Sequence, residues 1–167
     1  MAARRLEMYI SVIGASECSG ELARTAYEVG REVAGRGHVL VCGGLGGVMD
    51  AAAHGASDGG GVSVGILPGA DRRGASRWLA VSIPTNMDNA RNAIVALSGD
   101  AIIAVGGGYG TLSEIAFGLK MGKPVVGIAT WELESGPGGL PWLETAGSAG
   151  EAVAAAERLA SRRGGRK

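Results

Sequence analysis

The sequence has little aromatic character, only two cysteines and no net charge. Aromatic residues make up 4% of the 167 residues, whereas glycine occurs 31 times. The core must therefore consist mainly of Ala, Val, Ile and Leu, and many turns must use unusual backbone angles. A formal net charge of zero gives no electrostatic case for a nucleic-acid partner or an acidic membrane surface. Cys18 and Cys42 lie far apart and form no CxxC motif, which favours a reduced, cytoplasmic protein.

Other absences exclude further classes of protein. His38 and His54 have no neighbouring side chains at metal-ligand spacing, so we expect no protein-bound metal. The three lysines, which lie at positions 120, 123 and 167, are not on the predicted strand-end loops, and this argues against a pyridoxal-phosphate Schiff base. The arginine pair near the start is not followed by an apolar run. We therefore expect neither a signal peptide nor a membrane span.

Apolar strand-like runs alternate with helix-length segments along the chain. This alternation predicts an α/β fold, with a doubly wound, Rossmann-like parallel sheet and helices on both faces, in a single domain. The domain is expected to span residues 1–167, with its core at about 8–164 and a basic C-terminal tail. The predicted strands lie at 9–13, 38–42, 62–67, 78–83, 101–105 and 124–128. The predicted helices lie at 21–36, 47–57, 87–98, 112–121 and 148–163.

Four turns with glycine or polar residues follow strands of the predicted sheet. The carboxyl ends of parallel strands meet at one edge, where doubly wound sheets bind their ligands, so we expect these turns to form one cleft. They lie at 14–17, 42–47, 84–87 and 106–111.

Two further segments, 68–77 and 134–141, are predicted to be loops. The first contains Arg72, Arg73 and Arg77. These arginines either bind an anion from above the predicted cleft or belong to a solvated loop.

The run from Val105 to Glu114 is the most informative part of the sequence. It joins an apolar strand to a helix through Gly106-Gly107-Gly108-Tyr109-Gly110-Thr111. A glycine-rich turn before a helix N-terminus binds anions, because its N–H groups are exposed and the helix dipole favours a phosphate. The sequence contains neither the GxGxxG fingerprint nor a GxxxxGK[ST] motif. This excludes that type of dinucleotide site and a Walker-type NTPase.

Glu114 has two interpretations. The spacing from Thr111 to Glu114 fits a capping box, in which the carboxylate accepts a hydrogen bond from the Thr111 N–H. In the other interpretation Glu114 faces a ligand. A helix N-terminus then favours its ionised form, which suits a base or an electrostatic stabiliser better than an acid.

Arg91 is the second informative residue. On the predicted third helix it lies on the same stripe as Met87 and Ile94, a stripe that is otherwise expected to face the core. An arginine in that position needs an anionic partner, because an unpaired buried charge is costly.

Two kinds of partner are open for Arg91. It either snorkels from the first helical turn or pairs with an internal carboxylate such as Asp88 or Asp100. Alternatively, it reaches a ligand phosphate or ribose, or orients Glu114.

Several segments together carry a family resemblance: Arg91-Asn92, Asp100-Ala101, the run from Gly107 to Glu114, and the loop from Gly43 to Met49. They resemble the arginine, PGGxGTxxE and GGGxxGLM segments of the LONELY GUY (LOG) family, once labelled "possible lysine decarboxylase". The similarity covers roughly residues 9–128. It implies a Rossmann-like fold, usually dimeric, that hydrolyses the N-glycosidic bond of nucleoside 5′-monophosphates to free base and ribose 5-phosphate.

The resemblance also implies roles for particular residues. Arg91 and Glu114 correspond to the catalytic pair of the family, and the phosphate is expected on the backbone amides of 107–111. The complete set of expected nucleotide- and phosphate-binding residues is Gly14, Ser16, Gly43, Gly44, Met87, Gly107, Gly108, Tyr109, Gly110 and Thr111.

The sequence also departs from the LOG pattern. Gly106 stands where the family motif has proline, the loop at 14–19 lacks the usual Gly-Ser-Ser, and the second glycine loop is shorter by a residue. These features are closer to a bacterial side branch that also resembles molybdenum-cofactor carrier proteins, which bind a phosphorylated pterin.

Three functions therefore remain open: a phosphoribohydrolase, a non-catalytic carrier or sensor of a nucleotide or molybdenum-pterin cofactor, and a structural module. The first two share the expectation of a phosphorylated small-molecule ligand, a nucleotide monophosphate or a pterin cofactor, and no cofactor is required for the hydrolysis. The resemblance further implies a homodimer, with a tetramer as the alternative.

Overall fold

The structure, a computed structural model, describes residues 8–133, 138–139 and 143–164. Strands and helices alternate along these residues. The strands are β1 (Tyr9–Gly14), β2 (Val39–Cys42), β3 (Val62–Leu67), β4 (Val81–Pro84), β5 (Ala101–Val105), β6 (Val125–Ile128) and β7 (Glu144–Thr145). The helices are α1 (Gly20–Gly35), α2 (Val48–Asp58), α3 (Asn92–Ser98), α4 (Tyr109–Lys120) and α5 (Ala149–Gly164), and a 3₁₀ turn, Asp88–Arg91, precedes α3.

The described strands form one parallel sheet in the order β4-β3-β2-β1-β5-β6-β7. From β1 the chain builds outward through β2, β3 and β4, and then returns to place β5 on the other side of β1. The strand order therefore reverses between β1 and β5, and this is the point where open α/β sheets bind ligands. The predicted doubly wound, single-domain α/β fold is confirmed.

Helices cover both faces of the sheet, which explains why the central strands are mostly apolar. Ile10 and Ile103 point to the face that is covered by α1, α2 and α5. Ile13 and Ile102 point to the opposite face, which is covered by α3 and α4. Both central strands are consequently buried on two sides and hold the strand-end loops on a rigid base.

Glycine allows α1 and α2 to pack closely. A Cβ at Gly30 would lie 2.0 Å from the carbonyl oxygen of Ala52, and a Cβ at Gly55 would lie 1.9 Å from that of Tyr27. These distances are far below van der Waals contact, so the two helix backbones approach through positions that must lack a side chain.

The structure differs from the predicted elements in several places, among them the start of α4 at Tyr109 instead of residue 112. The predicted strand at 78–83 is the shorter β4, and the predicted helix at 87–98 is a 3₁₀ turn followed by the seven-residue α3. The helix starts late because Asn86 and Asp88 adopt left-handed φ angles of 53° and 45°, which interrupt a regular helix. The two-residue β7 was not predicted. Most of the predicted loop at 134–141 lies outside the described residues.

Among the described residues, no helix combines the length and the apolar character that crossing a membrane requires.

Candidate functional site

The candidate site lies at the carboxyl edge of the sheet, where β1 and β5 run side by side. The loops after β1 and β2 are joined there by a hydrogen bond from the Val48 N–H to the Ala15 carbonyl, with a donor–acceptor distance of 2.9 Å. Gly14 ends β1, and a Cβ on it would lie 2.3 Å from the carbonyl oxygen of Val105. The missing side chain therefore lets the two strand ends and α2 converge.

A buried ion pair occupies this cleft. Arg91 Nη1 lies 3.8 Å from Glu114 Oε1, and the two side chains are only 9% and 8% exposed. That separation is too long for a hydrogen bond. Arg91 Nε is also buried and has no hydrogen-bond partner among the described residues. The pair is therefore attracted electrostatically but retains hydrogen-bonding capacity.

Burial shifts the pKa of both partners. It raises the pKa of Glu114 to about 7, although the charge of Arg91 acts in the opposite direction. Burial also lowers the pKa of Arg91, and the carboxylate of Glu114 opposes that change. The expectation that Glu114 is simply ionised by a helix N-terminus is thus wrong, because its desolvation dominates. Near neutral pH this carboxyl group can either donate or accept a proton.

The capping-box interpretation of Glu114 is also wrong. Helix α4 begins at Tyr109 with Gly108 as its N-cap, and no side chain caps it. Thr111 lies within the first turn, and its side chain packs where a Cβ on Gly107 would be, 2.4 Å from that position. Glu114 is consequently one turn further along α4 and faces Arg91.

Gly43 makes room for the Arg91 guanidinium. A Cβ at position 43 would lie 2.2 Å from Arg91 Nη1 and 2.6 Å from Met49 Sδ. Cys42 precedes it and is fully buried, and burial raises the pKa of its thiol to about 12. This thiol is therefore a core group rather than a nucleophile.

Arg91 reaches the cleft from the 3₁₀ turn and not from a core-facing helical stripe. Met87, which the sequence places on such a stripe, precedes the turn and is 44% exposed. Asp100, one of the alternative partners, accepts a hydrogen bond from the Tyr9 N–H at 2.8 Å. Of the described carboxylates, Glu114 is the one within 4 Å of Arg91.

The glycine loop after β5 has the backbone that its sequence predicts. Gly106 and Gly107 have φ angles of 56° and 119°, which only glycine adopts without strain. Gly107, Gly108, Tyr109 and Gly110 are all exposed. The first turn of α4 therefore presents its backbone N–H groups to solvent at the cleft.

The other predicted binding residues are arranged unevenly around this loop. Gly43 and Gly44 are buried beneath the cleft, whereas Ser16 is exposed on the loop after β1.

The three arginines of loop 68–77 have partners close to them and do not reach the cleft residues. Arg72 Nε donates to the Ser82 carbonyl, Arg73 pairs with Asp71 at 2.6 Å, and Arg77 lies over the ring of Trp78.

Sequence reasoning missed the segment Ala129-Thr130-Trp131, which follows β6. Thr130 Oγ1 donates a hydrogen bond to the Gly106 carbonyl, and the indole N–H of Trp131 donates to the Gly108 carbonyl at 3.1 Å. Ala129 has a left-handed φ of 47°, which is strained for alanine. Its position after a strand of the parallel sheet was the available signal, since that places it at the same edge as the other loops.

A second link, also missed, joins α3 to α4. Asn92 Nδ2 donates to Ser113 Oγ at 3.1 Å, and Ser113 Oγ donates to the Gly110 carbonyl at 2.7 Å. The turn that carries Arg91 is thus tied to the helix that carries Glu114.

No group of side chains within the described ranges is arranged to hold a metal ion. Cys18 and Cys42 are both free thiols.

Solved structures similar to this chain include two molybdenum-cofactor proteins. The molybdenum cofactor carrier protein of Chlamydomonas reinhardtii is 34% identical with a TM-score of 0.84, and covers 94% of this chain and 99% of its own. The molybdenum cofactor binding protein of the phototrophic bacterium Rippkaea orientalis is 33% identical with a TM-score of 0.83, with the same coverage of both chains.

A relative and a family model also match. An uncharacterized protein of Archaeoglobus fulgidus is 52% identical over 121 residues, which are 72% of this chain and 80% of the relative. The model of the SLOG cluster4 family matches residues 7–157. The SLOG superfamily includes LOG-like proteins, so the predicted resemblance is confirmed at that level. On this match the chain belongs to the SLOG cluster4 family.

Proposed function

We propose that this protein binds a phosphorylated pterin, as the molybdenum cofactor, in the cleft at the carboxyl edge of the sheet and carries it as cargo. The similarity to two molybdenum-cofactor proteins over 94% of the chain supports this choice of ligand. The structural observation that carries it is the buried Arg91 guanidinium, whose Nε has no partner among the described residues. A buried cation with spare donors fits an anionic ligand.

The cleft also fits the phosphate of such a cofactor. The exposed glycine loop before α4 offers backbone N–H groups at the positive end of a 12-residue helix, where phosphate binding is favourable. In this proposal Arg91 stabilises the anionic cargo from the floor of the cleft, and the loop amides bind its phosphate. Glu114 holds Arg91 in place and accepts or donates one hydrogen bond according to pH.

Retention of cargo tests this proposal. The purified protein is incubated with molybdenum cofactor released from a molybdoenzyme and then desalted, and pterin and molybdenum are measured in the protein fraction. Arg91→Ala is expected to lose retention, whereas Arg158→Ala, which removes an exposed arginine paired with Glu144, retains it. Equal retention by both variants and the unchanged protein would contradict the proposal.

The Arg91–Glu114 pair favours a second function, hydrolysis of a nucleoside 5′-monophosphate. Breaking an N-glycosidic bond develops positive charge at the sugar, which a nearby carboxylate stabilises, and it requires proton transfer to or from the base and water. A carboxyl group with a pKa of about 7 suits proton transfer at neutral pH. Arg91 would bind the ribose phosphate in this reaction.

A chromatographic assay separates the two functions. Free base is measured after incubation with a panel of nucleoside 5′-monophosphates. Release by the unchanged protein and not by Glu114→Gln establishes hydrolysis. If no member releases base while GMP still raises the melting temperature, the cleft binds without turnover, because a ligand selective for the folded state must stabilise it.

We also propose that the protein forms a homodimer through the face of the sheet that carries α3 and α4. On this face Val62, Val81 and Ile83 are 40%, 45% and 44% exposed. Helix α2, which contacts β3, lies on the opposite face. An uncharged apolar patch can pair with itself about a two-fold axis. The proposal fails if the molar mass in solution, measured by light scattering, is that of one chain; Ile83→Asp should convert a dimer to a monomer.

We also propose that the protein is located in the cytoplasm. It rests on the two free thiols and on the reduced compartment that they favour.

A further inference from the structure

Two glycines at the start of α4 have no evident steric role in the fold. Gly108 and Gly110 both lack positive φ angles, and no atom of the described residues lies within 4 Å of where a Cβ would be on either one. Gly14, Gly43 and Gly107 differ, because a Cβ on each would collide with a neighbouring atom at less than 2.5 Å. Gly110 lies in the first turn of α4, where glycine lowers stability relative to alanine, so it keeps space open at a cost. Gly108 is the N-cap of the helix, a position where glycine is favoured over alanine.

Tyr109 stands between these two glycines. Its side chain is 83% exposed, more than that of any other large apolar residue described. Exposing an aromatic ring to water is unfavourable, and here no neighbouring side chain at 108 or 110 covers it.

Trp131 supports one side of this tyrosine. The two ring centroids are 5.8 Å apart with the planes tilted by 37°. The indole is itself fixed by its hydrogen bond to the Gly108 carbonyl, which lies directly before Tyr109. The phenol ring is therefore held from one side and free on the other.

The buried polar group that needs a ligand comes from the 3₁₀ turn before α3 and faces the same helix, α4. Arg91 Nε is unpartnered among the described residues, and the guanidinium is 3.8 Å from Glu114 of α4. Arg91 thus faces the helix whose first residue is the exposed Tyr109. A molecule with both a phosphate and a flat ring complements both features.

We propose that Tyr109 is the stacking platform for the heteroaromatic ring of the ligand, with Trp131 as the residue that positions it. The ligand class is a phosphorylated bicyclic heteroaromatic compound, a pterin or a purine. The open space at Gly108 and Gly110 lets the ring approach the free face of Tyr109. This inference rests on the proposed ligand cleft and assigns the part of it that recognises the ring.

Comparing ligands with and without a ring tests the inference. Dissociation constants are measured for GMP, whose guanine shares the 2-amino-4-oxopyrimidine ring of pterins, for AMP, and for ribose 5-phosphate. Tyr109→Ala is expected to weaken binding of GMP and AMP about tenfold or more, the usual range for a lost base–aromatic stack. Its affinity for ribose 5-phosphate should stay within about twofold, because the phosphate site is intact.

Matched variants exclude a general disturbance of the loop. Tyr109→Phe should bind all three compounds like the unchanged protein. Tyr9→Ala, which removes a tyrosine that is 46% exposed at the other end of the sheet, should leave all affinities unchanged. Trp131→Phe removes the hydrogen bond to Gly108 and should weaken the binding of GMP and AMP more than the binding of ribose 5-phosphate.

Gly110→Ala provides a separate readout. This substitution should raise the melting temperature, because alanine is the better helix residue. It should nevertheless weaken the binding of GMP. A glycine of purely structural importance would instead lower the melting temperature when replaced.

The outcomes distinguish this inference from the function on which it rests. If the unchanged protein binds none of the three compounds, the phosphate cleft itself is refuted and the stacking platform with it. If ribose 5-phosphate binds as tightly as GMP, or if Tyr109→Ala binds GMP as well as the unchanged protein does, the cleft stands and the stacking platform is overturned.

Discussion

Two charged clusters lie at opposite ends of the sheet and differ in whether their charged groups are within hydrogen-bond distance of one another. Each also contains one buried nitrogen without a hydrogen-bond partner among the described residues, His38 Nδ1 and Arg91 Nε. At the amino end, Arg36 donates to Glu157 at 2.8 Å and His38 Nε2 lies 2.7 Å from the same carboxylate. At the carboxyl end, Arg91 and Glu114 are 3.8 Å apart.

This difference indicates which charged groups stabilise the fold and which do not. The amino-end cluster ties the turn between α1 and β2 to α5 through hydrogen bonds of ordinary length. The carboxyl-end pair is more deeply buried yet makes no mutual hydrogen bond, an arrangement that disfavours folding. Residues that oppose stability at a strand-end cleft are typical of a functional site.

The largest expected effect is on the amino-end cluster. Glu157→Ala should lower the free energy of unfolding by about 3 kcal/mol, because the buried His38 ring and Arg36 lose their shared acceptor. Urea denaturation measures this. Glu144→Ala, which breaks an exposed pair with Arg158, should cost less than about 1 kcal/mol. Equal losses in the two variants would remove the contrast between a structural cluster and a surface pair.

The next effect concerns pH. The folded pKa of Glu114, about 7, is above its ordinary value of 4.5, so the folded protein binds the proton more tightly. The contribution of this tighter proton binding to the free energy of unfolding is fully present below about pH 4.5 and is lost as the pH rises through 7. The free energy of unfolding of Glu114→Gln, relative to that of the unchanged protein, should therefore rise by about 3 kcal/mol between pH 4.5 and a pH above 7. Parallel stability–pH curves for the two proteins would show that Glu114 has an ordinary pKa.

Gly43→Ala should weaken the carboxyl-end site with little loss of stability. The new methyl group would displace Arg91 Nη1, 2.2 Å away, and such a displacement typically costs tenfold or more in affinity. Isothermal titration with GMP measures it. Gly20→Ala is the control, since no atom of the described residues lies within 4 Å of its Cβ position. Unchanged affinity in Gly43→Ala would mean that the position of Arg91 does not matter for binding.

The smallest effect is expected at the strained link beside the glycine loop. Ala129→Gly should raise the free energy of unfolding by about 0.5 kcal/mol, because relief of the left-handed φ slightly exceeds the added entropy of the unfolded chain. Ala116→Gly, on the exposed side of α4, should lower it by about 1 kcal/mol. A loss of stability in both variants would indicate that Ala129 is unstrained.

The sequence predicts the fold well because its signals are local and repeated. Apolar runs such as 101–105 and the glycines at 106 and 107 specify strand and turn without reference to the rest of the chain. The convergence of the loops on one edge follows from parallel topology alone.

The parts that sequence reasoning missed depend on distant contacts. The pKa of Glu114 is set by burial, which no local pattern reports. The capping box failed because Gly108 starts α4 one turn earlier than the Thr-x-x-Glu spacing suggests. The role of Thr130 arises from a hydrogen bond to Gly106, 24 residues away in the chain.

The pairing of β1 with β5 has a consequence for how the protein acquires its site. Tyr9 and Asp100, hydrogen-bonded neighbours where these strands begin, are 91 residues apart in the chain, and closing so long a loop is slow. The loop after β1 and the glycine loop before α4 come together only when these two strands pair. The first half of the chain, when it leaves the ribosome, holds only half of the cleft. In the proposed function, ligand binding therefore requires completed folding, because a form with β5 undocked lacks part of the cleft.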